Sequence, residues 1–235
     1  MAGITARRWL CRGLVTVGAT LLATTASAQA GETVVRMPAW DASGNLAIHF
    51  FRASDLDGGD DHYYYDSEAL AQPGAQVGRY VTPHLKVELG VRGPMQYTSY
   101  DTIHVPAPLP GGFAETWVDR RVRVVSFAPA ITWQFFENTF MHPYVSAGVA
   151  VDLVDVHRFR EAGTESYPLS RATVRYDVPG IDTRETVVKA RPFFAVGSKS
   201  YFGNGRWFVR PEAEIGVVKS RIGTGSLRLG VGVDF

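Results

Sequence analysis

The stretch GSLRLGVGVDF, Gly225 to Phe235, decides the fold. Leu227, Leu229, Val231, Val233 and Phe235 fall on one side of an extended strand, and Ser226, Arg228, Gly230, Gly232 and Asp234 on the other. A period of two with an apolar face and a charged face is a β-strand signature. The alternation runs to the final residue, a large aromatic, so the closing strand needs a partner along its whole length.

The same split recurs upstream. Val145, Ala147, Val149, Val151 and Leu153 oppose Tyr144, Ser146, Gly148, Ala150 and Asp152. Val125, Phe127, Ile131, Trp133 and Phe135 oppose Ser126, Ala128, Ala130, Thr132 and Gln134. Trp207, Val209, Ala213, Ile215 and Val217 oppose Arg210, Glu212, Glu214 and Gly216. Val188, Ala190, Phe194 and Val196 oppose Lys189, Arg191, Gly197 and Lys199, and Leu85, Val87, Leu89 and Val91 oppose His84, Lys86, Glu88 and Arg92. Two further segments, Asn45 to Ser54 and Ala75 to Thr82, read as strands of undecided facing. The total is eight.

The connections alternate in length. Asp55–Gly74, Gly93–Val118 and Phe159–Glu185 are long, whereas Thr82–His84, Glu137–Phe140, Gly203–Gly205 and a turn near Ile222–Thr224 are short. Long loops at one end and tight turns at the other are the layout of a transmembrane barrel. Aromatics cluster near the short turns: Tyr80, Trp133, Phe135, Phe136, Phe140, Tyr144, Tyr201, Phe202, Trp207, Phe208 and Phe235. Such rings either form an interfacial girdle or simply cover strand ends. The expected fold is therefore all-β: an eight-stranded antiparallel up-and-down transmembrane β-barrel with long extracellular loops and short periplasmic turns. Pro129, Pro192 and Pro211 fall inside strands, where each removes a ladder donor, so bulges or register shifts are expected there.

The first thirty residues have the form of a cleavable secretory signal: Arg7, Arg8 and Arg12, an apolar run from Leu14 to Ala26, then ASAQA, with cleavage after Ala30 or Ala28. Arg7 and Arg8 also admit twin-arginine export. Removing residues 1–30 takes away three arginines and no acid, moving the formal charge from +1 to −2. Such a balance argues against a nucleic-acid partner. Cys11, the only cysteine, leaves with the leader, so no disulfide or thiol chemistry remains. Residues 31–44 read as a periplasmic lead-in and 45–235 as the barrel.

The segments VGRYVTPHLKVELGV (Val77–Val91), HPYVSAGVAVDL (His142–Leu153) and LGVGVDF (Leu229–Phe235) resemble the small eight-stranded outer-membrane barrels of the OmpA/OmpW and opacity-protein type. The resemblance implies a monomer in the outer membrane of a Gram-negative bacterium, surrounded by outer-membrane lipid. It also implies that Phe235 belongs to the signal read by the barrel-assembly machinery. OmpW-like members are associated with uptake of small hydrophobic compounds, which makes small hydrophobic solutes a candidate cargo, although no pore-lining residue of that family matches this chain.

The inward faces carry seven basic residues, Lys86, Arg92, Lys189, Arg191, Lys199, Arg210 and Arg228, and five acidic ones, Glu88, Asp152, Glu212, Glu214 and Asp234. An eight-stranded interior is only wide enough for side chains. These charges should pair and plug the lumen, or else form a gated narrow path with Arg210, Glu212 and Glu214 at its constriction. No catalytic constellation is expected: His142 and Ser146 are the available pair, at opposite or distant positions. No metal or cofactor site is expected either. Asp57, Asp60, Asp61 and His62 lack calcium-loop spacing and read as a solvated loop; with Tyr63, Tyr64 and Tyr65 beside them they are the exposed contact candidates for a surface ligand.

Three functions remain open: a structural or narrow-transport barrel, a surface adhesin or receptor acting through loops one to three, and a soluble periplasmic lipocalin-like barrel. The facing of Arg210, Glu212 and Glu214 separates the membrane readings from the last.

Overall fold

The computed structural model describes residues 39–52, 67–109, 111–135, 140–169, 172–203, 205–218 and 221–235. The expected leader and the acidic, tyrosine-rich part of loop one, Asp57 to Tyr65, lie outside the described residues. Ten strands are present: β1 (Trp40–Arg52), β2 (Ser67–Tyr80), β3 (Leu85–Pro106), β4 (Phe113–Gln134), β5 (Met141–Arg160), β6 (Gly163–Leu169), β7 (Ala172–Val178), β8 (Ile181–Phe202), β9 (Trp207–Val218) and β10 (Arg221–Asp234). Eight close into an antiparallel barrel in the order β1-β10-β9-β8-β5-β4-β3-β2, and β6 pairs only with β7.

The terminal strand closes the cylinder, with β10 pairing β1 from Asp41↔Asp234 to Phe51↔Thr224. Beyond the ladder, the Trp40 and Phe235 backbones exchange two hydrogen bonds of 2.9 Å. Closure removes the edge that hydrocarbon could not solvate. β1 begins at Trp40, so residues 40–44, expected to precede the barrel, belong to its wall.

Facing follows the period-two reading. Ile131 and Leu229 are each 57% exposed, while Arg210, Glu212 and Glu214 are buried inside. Ions inside and aliphatics outside exclude the lipocalin-like arrangement at this level. The aromatics near the short turns divide by parity. Trp133, Phe135, Phe140, Phe202, Trp207 and Phe235 are exposed, joined by Trp40, whereas Tyr144 and Phe208 are buried. Tyr80 and Tyr201 also reach inward, to Asp41 and Asp234. The girdle therefore contains about half of the expected set, and the rest line the lumen. Phe136 lies outside the described residues.

Two expected loops are largely strand. β3 and β4 remain paired out to Pro106↔Phe113, and β5 and β8 out to Arg160↔Ile181. Twenty-two residues span about 70 Å along the strand, whereas about 9–11 residues cross a bilayer. Along β4 the outward set changes character at one point: Val125, Phe127, Pro129, Ile131 and Trp133 are followed above by Arg123, Arg121 and Asp119. The inward set inverts with it, from Ser126 and Thr132 to Val124, Val122 and Val118. The outward apolar band ends at Val125, and just above it the wall has the polar-out, apolar-in pattern of a soluble sheet. The polar outward residues explain why these segments read as loops.

Gly93, expected to start a loop, is instead part of a bulge at Gly93-Pro94 that shifts the β3–β4 register by one. Its φ of 108° suits glycine. The extra residue lets the inward series continue from Arg92 to Met95. Pro129, Pro192 and Pro211, by contrast, carry no register shift. Pro129 and Pro211 sit where one ladder is interrupted in register, and Pro192 just past the end of one: β4–β5 pairs skip from Phe127↔Val151 to Ala130↔Gly148. The β8–β9 ladder skips from Gly197↔Glu212 to Ser200↔Val209 and ends at Phe193↔Gly216. Pro129 and Pro211 each cost two consecutive pairs on one side and Pro192 follows a ladder's end, with the opposite neighbour still paired at all three.

Candidate functional site

The membrane-level lumen is filled by three layers of side chains. In the layer nearest the short turns, Lys199 Nζ donates to Asp41 Oδ2 at 2.9 Å, Asp234 Oδ1 at 2.5 Å and Tyr80 OH at 2.7 Å. All three ammonium protons have partners, and the same nitrogen lies 4.0 Å from the Phe208 ring centroid. Lys86 Nζ bridges Asp41 and Glu88, each at 2.7 Å. Tyr201 donates to Asp234 Oδ2 at 2.7 Å.

In the central layer, Arg210 holds Glu88 with two contacts, 2.5 Å from Nη1 to Oε1 and 3.0 Å from Nη2 to Oε2. Its Nη2 also reaches Glu212 at 2.9 Å, and its Nε donates to Tyr144 OH at 2.5 Å. Tyr144 in turn donates to Glu212 at 2.7 Å, and Thr132 donates to Glu88. Arg228 bonds both Glu212 and, at 3.0 Å, Glu214.

In the third layer, Arg92 grips Glu214 through two bonds of 2.7 Å and sits 4.8 Å from the Phe193 ring centroid. Arg191 Nε donates to Asp152 Oδ2 at 3.0 Å and its Nη1 to Thr224 at 2.9 Å, while Ser126 donates to Asp152 at 2.6 Å. Bidentate guanidinium–carboxylate pairs fix geometry as well as charge.

Asp41, Glu88, Asp152, Glu212, Glu214 and Asp234 face Lys86, Arg92, Arg191, Lys199, Arg210 and Arg228, all buried. Six against six replaces the expected seven against five. Asp41 was missed because its strand start read as lead-in, and Lys189 is only half-buried, opposite Asp152 in register. Tyr144 and Phe193 were also missed, although parity places Phe193 beside Arg191. Large rings fit because glycines face them. A Cβ on Gly148 would lie 2.7 Å from Phe193, and one on Gly197 would collide with the Tyr144 hydroxyl. A cavity of about 20 Å³ beside Asn45, Gln76 and Arg92 remains, room for a water or two.

Above the ions the interior becomes apolar. Phe51, Met95, Tyr97, Val122, Val124, Val154 and Val156 form a buried cluster with Leu70 against it. Higher still, Asp101 pairs with Arg120 at 3.2 Å and Arg158 at 2.8 Å. The β6–β7 hairpin covers the top, its Tyr176 and Val178 packed with Val105, Ala107 and Ala114. Glu165 on β6 fastens it, accepting from Thr116 at 3.0 Å, Tyr176 at 3.0 Å and Arg160.

His142 and Ser146, expected on opposite or distant positions, share one face of β5 with Tyr144 between them. Four residues separate them by about 13 Å. Ser146 shares a 2.6 Å hydrogen bond with Thr132, and the His142 ring packs edge-on against Tyr201. The geometry provides no nucleophile–base contact.

No family model matches the chain, and no curated protein matches it. Among solved structures, Ail, the attachment invasion locus protein of Yersinia pestis, superposes with a TM-score of 0.50 at 10% identity, covering 85% of this chain and 100% of its own. Neisserial surface protein A gives 0.49 at 14% identity, with 84% and 97% covered. The outer membrane protein OprG from Pseudomonas aeruginosa gives 0.46 at 11%, with 84% and 97% covered.

Proposed function

Since the chain has the fold of the small eight-stranded outer-membrane β-barrels, we propose that it is an integral outer-membrane protein of a Gram-negative bacterium whose barrel is a sealed anchor for a rigid, surface-exposed β-structure. One observation carries this reading: the lumen is filled by a balanced ion network with an apolar cluster of β1, β3, β4 and β5 residues packed above it, while the strands continue far beyond bilayer length. A conduit needs sites that bind weakly enough to release. Charges held by two or three partners each offer none, so lumenal passage of solutes is the less favoured role. A structural and surface-binding role fits better, and the solved neighbour Ail is itself named for attachment.

In this reading residues 1–30 are a cleaved leader, residues 31–39 a periplasmic lead-in, and Phe235 the group presented to the assembly machinery. The protein is a monomer in lipid with no cofactor. Impermeant maleimide labelling of Pro108→Cys on intact cells, together with planar-bilayer recordings, tests it. Labelling with flat current is expected; a steady conductance from the unmodified barrel, or an unlabelled tip, contradicts it.

A further inference from the structure

The outward face of the projecting β3–β4 hairpin has a composition that neither lipid nor water explains. Tyr100 is 59% exposed, Phe113 49% and Trp117 44%. The register sets Tyr100↔Asp119, Thr102↔Trp117, His104↔Glu115 and Pro106↔Phe113, so rings alternate with carboxylates and a hydroxyl across the pair. His104 packs edge-on against Phe113 at 5.0 Å and lies 3.4 Å from Glu115. The β6–β7 hairpin covers the opposite, inward face, leaving this one open. Exposed apolar patches rimmed by polar groups mark interaction sites.

Position narrows the occupant. Trp117 lies eight residues above Val125, about 20 Å beyond the hydrocarbon boundary for a tilted strand. Asp119, Arg121 and Arg123 occupy the interval on the same face, so acyl chains do not reach the rings. The face looks sideways, along the membrane plane, toward whatever extends from neighbouring lipids. Glu115 and Asp119 supply acceptors beside the rings. A pyranose ring meets these conditions, with an apolar C–H face to stack on an aromatic ring and equatorial hydroxyls to donate to carboxylates.

We propose that the face running from Tyr100 through Trp117 to Phe113 is a stacking platform for the saccharide headgroups of outer-leaflet glycolipids. The inference rests on the surface-exposed reading above and adds a ligand class to it. Trp117 is the one tryptophan on the extracellular side among the described residues, since Trp40, Trp133 and Trp207 flank the short turns. Its emission is therefore a local reporter.

The full mature chain in nanodiscs of glycolipid-free phospholipid is titrated with lipid-free core oligosaccharide released from lipopolysaccharide. A saturable emission change is expected that disappears in Trp117→Phe. Calorimetric affinity should fall about tenfold in Trp117→Ala, and by a similar factor in Tyr100→Ala/Phe113→Ala, as expected for removing ring contacts. The proposal is overturned by no saturable change, by unaltered affinity in both variants, by an equal response to a sugar-free anionic phospholipid, or by a signal that depends on protein concentration and so reports a second copy. Tip labelling at Pro108→Cys separates the two readings: a labelled tip without saccharide binding sinks the platform alone, and an unlabelled tip sinks both.

Discussion

Arg210 on β9 and Glu88 on β3 meet across the full width of the barrel, Nη1 2.5 Å from Oε1. The two strands stand four places apart in a ring of eight, and Arg92 and Glu214 join the same pair of strands one layer higher. These bridges act as struts. Glu88→Ala leaves a buried guanidinium short of its main counter-charge, and about 3–5 kcal/mol of stability should be lost. Urea unfolding in detergent measures it. Glu88→Leu/Arg210→Met should recover part of that loss, because removing both charges removes the unpaired one.

In the proposed reading the apolar cluster is a second barrier above the ions, so neither alone governs conduction. Glu88→Ala/Arg210→Ala should stay electrically silent in planar bilayers while Val122, Val124, Val154 and Val156 still meet above it. Current should appear only when Val122→Ser and Val154→Ser are added. Conductance from the charge-layer variant alone would show that the apolar cluster leaks.

Glu165 lies outside the bilayer and ties the β6–β7 hairpin down. Burial pushes its carboxyl up, but hydrogen bonds from Tyr176, Thr116 and Arg160 outweigh this and hold it below the ordinary 4.5. A lowered folded value means that the stabilisation is complete above 4.5 and is lost as pH falls through the folded value. Amide protection factors in β6 and β7, corrected for intrinsic rates, should therefore drop below pH 4.5 while those of the barrel strands hold. Glu165→Gln should weaken that pH dependence and loosen the hairpin at neutral pH.

Gly148 faces the Pro129 carbonyl oxygen and, a little further off, the Phe193 ring, so any side chain meets backbone before it meets the ring. Gly148→Val should cost about 1–3 kcal/mol by overpacking, read as a lower urea midpoint, and Gly148→Val/Phe193→Ala should not recover it, because the Pro129 carbonyl stays in the way.

Phe235 is 64% exposed and touches the barrel through backbone bonds to Trp40. Phe235→Ala should therefore leave the stability of refolded protein nearly unchanged while lowering the amount assembled in cells. Equal losses in both measurements would assign the residue to packing instead.

The barrel was legible in the sequence because period two survives wherever one face meets hydrocarbon. Leu229 and Arg228 announce their sides without any neighbour being known. Strand length was illegible for the same reason: above Val125 the outward residues become Arg123, Arg121 and Asp119, and a strand in water at that level has the composition of a loop. Gly93-Pro94 reads as a terminator, yet a bulge carries β3 through it. The charge layers were legible as a set but not as pairs, since the Arg210–Glu88 contact depends on which strands oppose each other across the ring. Asp41 was lost with the strand start that holds it.

The central claim is that one strand crosses from lipid to water at Val125 with its two faces exchanging character. Spin labels placed singly at 115, 117, 119, 121, 123, 125, 127, 131 and 133 on β4, in lipid vesicles, measure it through collision with oxygen and with a water-soluble nickel chelate. Oxygen should dominate from 125 to 133 and the chelate from 115 to 123. Lipid-like values continuing through 117 to 123, or chelate access at 127 and 131, would contradict the account.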